Sequence, residues 1–159
     1  MGLHVVLHEP EIPANTGNIA RTCLATNTAL HLIHPLGFSI DDKQVKRAGL
    51  DYWKHVNINE YDSIEQLYKI YPDGIFYFIE NFGTTYYTER DYASDSDREV
   101  FFIFGKETKG IPRDIIKDEE ENCLRIPMND DKVRSLNLSN SVAIVLFEAL
   151  RQQSFNHLT

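Results

Sequence analysis

Cysteine is scarce in this chain. Its two thiols, Cys23 and Cys123, lie far apart, which argues against a disulfide-stapled secreted scaffold and fits buried, reduced residues. No Cys/His spacing indicates zinc, and the six histidines form no ligand pattern, so no metal is expected. Long apolar runs are absent too. The start, MGLHVVLHEP, has neither a basic leader region nor a sufficient apolar stretch, so neither a signal peptide nor a transmembrane helix is expected. Val6 stands where a myristoylation signal needs Ser or Thr. Internal repeats and low-complexity tracts are missing. Basic residues are in deficit, 16 against 24 acidic, and the net charge of −8 argues against a general nucleic-acid binder. The charge is uneven, however. Basic residues gather at Lys43, Lys46 and Arg47 and again at Lys132 and Arg134, and local patches govern docking of an anion more than the sum does.

What is present is ordinary globular material. With 159 residues, 42% of them hydrophobic, residues 1–159 are expected to form a single domain with a real core. Residues 4–7 and 30–33 read as short buried strands, and 75–79 and 100–104 are continuous apolar runs of strand length. Continuous rather than alternating runs imply strands covered on both faces. Further strands are expected at 53–58 and 124–126. Helices are expected after Asn15, with Asn15 as cap, from Asp41 or Asp42 to Gly49, and over 63–71, stopped by Pro72. Residues 81–98 read as a polar surface excursion. Alternating strands and helices predict an α/β fold: an open, mostly parallel sheet with helices on both faces.

In such sheets ligands sit beyond the carboxyl ends of strands. Three polar loops fall there, at 9–17, 105–110 and 127–140. The third feeds a helix carrying Val142, Val145, Leu146, Ala149 and Leu150 at helical spacing, with Ile144 and Phe147 adding apolar surface on its far side, so a buried helix is expected. Ser135, Asn137, Ser139 and Asn140 place hydroxyls and amides at its start, an arrangement suited to a small polar ligand. The plainer account is a capped helix, with Ser139 or Asn140 as cap. Gly105 follows a strand directly and would let a ligand approach the backbone, while Glu107 could accept hydrogen bonds or hold a neighbouring loop. The Gly-Lys-Ser/Thr ending of a P-loop is missing, as is Gly-x-Gly-x-x-Gly, so 105–110 alone could be a simple glycine turn. Arg21, one turn beyond a helix start, is the charge of most interest; the ordinary fate of arginine is a solvated surface.

Taken in order, four blocks resemble a known family. They are Glu9-Pro-Glu-Ile-Pro-Ala-Asn-Thr-Gly-Asn-Ile-Ala-Arg21, Asp41-Asp-Lys with Arg47-Ala-Gly-Leu-Asp-Tyr-Trp53, Phe104-Gly-Lys-Glu-Thr-Lys-Gly110, and Ile126-Pro-Met with Arg134-Ser-Leu-Asn-Leu-Ser-Asn140. Over nearly its whole length the chain resembles the SPOUT superfamily of RNA methyltransferases, and within it the TrmL/YibK type, the tRNA wobble-nucleotide ribose 2′-O-methyltransferases. Residues 92–105 and 129–134 depart from the pattern by being slightly longer.

The resemblance implies a C-terminal deep trefoil knot, an exception to the rule that chains avoid knots. It implies S-adenosylmethionine as cofactor, bound by Ile79, Gly105, Glu107, Ile126, Met128, Ser135 and Leu136. It implies 2′-O-methylation of the ribose at position 34, cytidine or modified uridine, with Arg21 catalytic and Asn18, Ser139 and Asn140 orienting it. Lys43, Lys46 and Arg47 would contact phosphates of the tRNA anticodon stem-loop, or form an ordinary solvated helix face. A cytoplasmic homodimer paired through the first and last helices is expected, with no membrane partner. Methylation of another tRNA or rRNA site on the same fold is one alternative; a non-catalytic flavodoxin-like regulatory module is a more distant one.

Overall fold

The computed structural model describes residues 2–129 and 131–159. Its strands are β1 (Gly2–His8), β2 (Ala29–Ile33), β3 (Ile58–Tyr61), β4 (Ile75–Ile79), β5 (Thr85–Tyr86), β6 (Glu99–Phe104) and β7 (Cys123–Arg125). They form one sheet in the order β3-β2-β1-β6-β4-β7-β5, and every neighbouring pair is parallel. The helices are α1 (Pro13–Ala25), α2 (Lys43–Gly49), α3 (Ile64–Ile70), α4 (Arg113–Ile116) and α5 (Leu138–Gln152).

The continuous apolar runs are explained by two cores, one on each face of the sheet. Leu3, Val5 and Leu7 of β1 and Phe102 and Phe104 of β6 join α1 and α5 on one side. Val6, Phe101 and Ile103 point the other way, toward Ile64 and Leu67 of α3 and Ile116 of α4. Each fully buried Leu, Ile or Phe contributes about 1.5–3 kcal/mol, which explains why these strands need no polar face. Both cysteines are buried free thiols.

Several details differ from the sequence reading. Residues 50–55 form a 3₁₀ turn, and the third strand begins at Ile58, where pairing of Leu30 with Ile58 through Ile33 with Tyr61 sets the register. The 81–98 excursion is pinned rather than loose. Tyr92 is fully buried against Tyr77 and Phe102, and its N–H donates to Gln152 Oε1 at 2.8 Å. Helix α1 starts at Pro13, whose missing N–H suits a first turn, so Asn15 lies inside the helix and does not cap it. Asn137 caps α5; its Oδ1 accepts the N–H groups of Ser139 and Asn140, which are not caps themselves. Phe147 is 45% exposed, so α5 buries one face only. The cap of α2 is as read: Asp42 Oδ1 accepts the Gln44 N–H at 2.7 Å.

Candidate active site

The middle strands β1, β6, β4 and β7 end side by side, and a cavity of about 550 Å³ opens beyond their carboxyl ends. Ile79 and Phe104 are the last residues of β4 and β6, and Ile126 follows β7. With Met128, Leu136 and Leu138 they make an apolar wall. The polar side is formed by Glu80, Asn81, Gly105–Gly110 backbone and side chains, Ser135 and Asn137. All seven residues that the resemblance assigned to a cofactor, Ile79, Gly105, Glu107, Ile126, Met128, Ser135 and Leu136, line this one cavity.

The three loops meet through a dense set of hydrogen bonds. Glu107 accepts the N–H of Glu11 at 2.8 Å and of Ile12 at 3.2 Å, and the Asn15 Nδ2 at 3.4 Å. From the loop after the neighbouring strand β6 it therefore holds the turn that enters α1 and sets a carboxylate near that helix's N-terminus. Glu11 returns the contact, accepting the Thr108 N–H at 3.0 Å and hydroxyl at 2.6 Å. Lys106 reaches Glu9 at 3.3 Å. Asn137 Nδ2 donates to Asn15 Oδ1 at 3.1 Å, tying the third loop to the first. Asn81 Nδ2 donates to the Arg134 carbonyl oxygen.

Gly105 lines the cavity, and its loop is also a turn that needs glycine. A Cβ there would overlap the Gly110 carbonyl carbon and the Ile111 nitrogen, so its bareness lets the loop close on itself. The closure is held by the Gly110 N–H on the Lys106 oxygen at 2.9 Å. Gly110 has φ +70°, which favours glycine, and the Glu80 carboxylate occupies the space a Cβ would need, 2.5 Å from Oε1.

The remaining assigned residues lie apart from the lining. Arg21 is exposed, with its guanidinium 5.2 Å above the Tyr52 ring centre, toward the segment that follows α2. Asn18 is exposed beside it on α1. The Ser139 hydroxyl donates to Asn137 Oδ1 at 2.5 Å, and Asn140 is exposed at the start of α5. Lys43, Lys46 and Arg47 are solvent-exposed on α2, and Lys46 pairs with Asp41 at 3.5 Å. Among the described residues no His/Cys/Asp/Glu cluster could hold a metal, and no helix is long and apolar enough to cross a membrane.

Asn15, Glu80 and Asn81 line the cavity without having been singled out for it. The signal for Glu80 and Asn81 was present, since they follow the apolar run 75–79 at a strand's carboxyl end.

Comparison with known proteins decides the lineage. The model of the SpoU rRNA Methylase family matches residues 2–147. The chain belongs to this family. A Geobacillus stearothermophilus relative of this SpoU member, named "Putative tRNA (cytidine(34)-2'-O)-methyltransferase", is 61% identical over 159 residues, covering 100% of both chains. A Bacillus subtilis (strain 168) protein of the same name is 59% identical, covering 99% of this chain and 98% of its own. A solved structure described as "Structural insights into the 2-OH methylation of C/U34 on tRNA" superposes with TM-score 0.87 at 38% identity, covering 96% of each chain. The SpoU fold is thus shared across the entire sheet, including the strand ends that carry the cavity.

Proposed function

We propose that this SpoU family protein is an S-adenosylmethionine-dependent methyltransferase acting on the ribose 2′-hydroxyl of the wobble nucleotide, position 34, of tRNA, with cytidine or modified uridine as the base. The observation that carries this reading is the meeting of three separate loops on one cavity, in a chain matched end to end by relatives named for that reaction.

The cavity suits the donor. Its volume lies in the range of small-molecule sites. Ile79, Phe104, Ile126 and Leu136 offer an apolar slot for an adenine, and the loop backbone and Ser135 offer polar partners for ribose and amino-acid groups. S-adenosylmethionine supplies an electrophilic methyl group already activated by its sulfonium charge. The chain must manage the acceptor, because an alcohol is a weak nucleophile at neutral pH. A guanidinium is a poor proton acceptor, so Arg21 stabilises charge developing on the ribose oxygen and positions it, rather than taking its proton. Asn18, Ser139 and Asn140 orient Arg21 and the ribose. Because Arg21 lies outside the lining in its own chain, this role requires the RNA or a second copy to bring arginine and cavity together.

A cytoplasmic homodimer paired through α1 and α5 fits this need; the exposed Phe147 on α5 supports such a surface. Lys43, Lys46 and Arg47 would bind anticodon-stem phosphates. The trefoil knot is part of the same proposal. Gln152 and Gln153 of the C-terminal segment are clasped by Arg90 and Tyr92 of the β4–β6 connection, as a threaded end would be.

Methylation of a tRNA panel with labelled donor, followed by nucleotide mapping, tests the reading. Label on the ribose of nucleotide 34 is expected. Label at another tRNA or rRNA site would move the target. No label, together with no calorimetric binding of S-adenosylhomocysteine, would overturn the function.

A further inference from the structure

The charged groups around the cavity are almost all committed elsewhere. Glu107 holds the start of α1, Lys106 is paired with Glu9, and Lys109 and Arg134 face solvent. Glu80 is different. It is half-buried on the cavity wall, packed against Gly110, and its Oε1 accepts the Ile111 N–H. Its own N–H donates to the Leu124 oxygen at 2.9 Å, which fixes the residue between β4 and β7. It forms no ion pair among the described residues. Arg113 acts on it only at longer range, with its guanidinium 3.7 Å over the Phe82 ring. Burial pushes its carboxyl above the usual carboxylate range. A buried carboxylate without a counter-charge is costly, and a cationic ligand removes that cost.

We infer that Glu80 makes the cavity selective for positive charge at the reacting sulfur, so that it favours the sulfonium donor over the neutral thioether product. The inference rests on the proposed use of S-adenosylmethionine. Donor and product share an ammonium and a carboxylate and differ in the sulfonium charge, so a nearby anion distinguishes them and weakens hold on the product after methyl transfer. Glu80 is thereby a specificity-determining residue, and Gly110 leaves room for it.

The experiment is calorimetric binding of S-adenosylmethionine, S-adenosylhomocysteine and sinefungin, which carries a protonated amine near the sulfonium position, to the wild type, Glu80→Gln and Glu80→Asp. Gln keeps an oxygen for the Ile111 N–H, so the loop anchor survives. In Glu80→Gln the preference for the two cationic ligands over S-adenosylhomocysteine is expected to fall about tenfold, equivalent to about 1.4 kcal/mol. Glu80→Asp is expected to retain most of it. Equal weakening of all three ligands would place the carboxylate on the shared ammonium and overturn the inference, as would no change in any. If the Gln variant does not fold, a wild type that binds the thioether tenfold more tightly than both cations overturns it equally. A wild type that binds none of the three overturns the proposed function itself.

Discussion

The two ends of α1 make a useful contrast. At its start, Ile12 and Asn15 are held by Glu107 from one loop and Asn137 from another, through bonds of 3.1–3.4 Å that span some ninety residues of sequence or more. Two turns later Arg21 is exposed, and its one described contact is an aromatic ring at 5.2 Å. The first arrangement is over-determined, so removing any single bond leaves the others in place. Such preorganisation suits a rigid small molecule whose binding must not pay to order the site. The second arrangement is free to follow a flexible polymer. A tightly bonded cavity wall and an exposed arginine therefore sit on one helix, and on the proposed reading the first would hold the donor and the second would meet the RNA.

Breaking the rigid end has the largest expected effect. Gly105→Ala drives a methyl group into the Gly110–Ile111 backbone and must open the loop. Overpacking of this kind costs about 1–3 kcal/mol of stability. S-adenosylhomocysteine binding is expected to disappear in calorimetry even where urea melts show a folded protein. Retained binding would mean that loop closure is unnecessary.

Arg21→Ala tests the free end. The fold and ligand affinity should be unchanged, because Arg21 supports neither, while the methylation rate should fall by about a hundredfold or more. Near-normal turnover in single-turnover assays would remove Arg21 from the chemistry. A smaller effect is expected from neutralising Lys43, Lys46 and Arg47 together. Affinity for tRNA should fall about tenfold, and the slope of log affinity against log salt should flatten by about two to three, with ligand binding untouched. Filter binding across salt concentrations measures both.

A last effect lies in the sheet itself, where β1, β2, β3 and β6 bury a polar chain. Tyr61 OH meets His31 Nδ1 at 2.9 Å, His31 Nε2 meets His4 Nδ1 at 2.9 Å, and His4 reaches Glu99. Burial lowers the pKa of both histidines, that of His31 to about 3 from 6.5. Below about pH 6.5 the unfolded chain gains protons there that the folded chain refuses, so stability falls as pH falls, by up to about 1.4 kcal/mol per unit for His31, with His4 acting in the same direction. Urea melts at pH 7.5 and 5.5 should separate accordingly, and equal midpoints would contradict the neutral relay.

Much of the fold was legible because burial on both faces leaves an unmistakable run. Residues 75–79 and 100–104 became β4 and β6 within one residue. Proline stops were equally plain. Where the sequence reading slipped, the deciding partner was distant. Asn15 has the chemistry of a cap, but α1 starts at Pro13 and the Asn15 side chain bonds Glu107 and Asn137 of other loops instead. Residues 53–58 have strand-like composition, but pairing with β2 starts at Ile58. Tyr92 sits in a polar stretch and is buried because its ring packs on Tyr77 and Phe102 while Gln152 and Gln153 bond its backbone. The cavity residues were found through loop position and resemblance, and Glu80 was missed because its place after the 75–79 run marks a strand end without showing that its carboxylate lies on the cavity wall.

By itself the sequence determined the layered parallel sheet, the strand ends where a ligand belongs and the family to which the blocks point, since periodicity and turn chemistry act over a few residues. Tertiary structure alone decided which acid holds the turn into α1, why Gly105 must be bare, and that Arg21 stands outside the pocket its own helix helps to build. Those outcomes depend on groups brought together across long stretches of chain, where only the packed geometry sets distance, burial and charge.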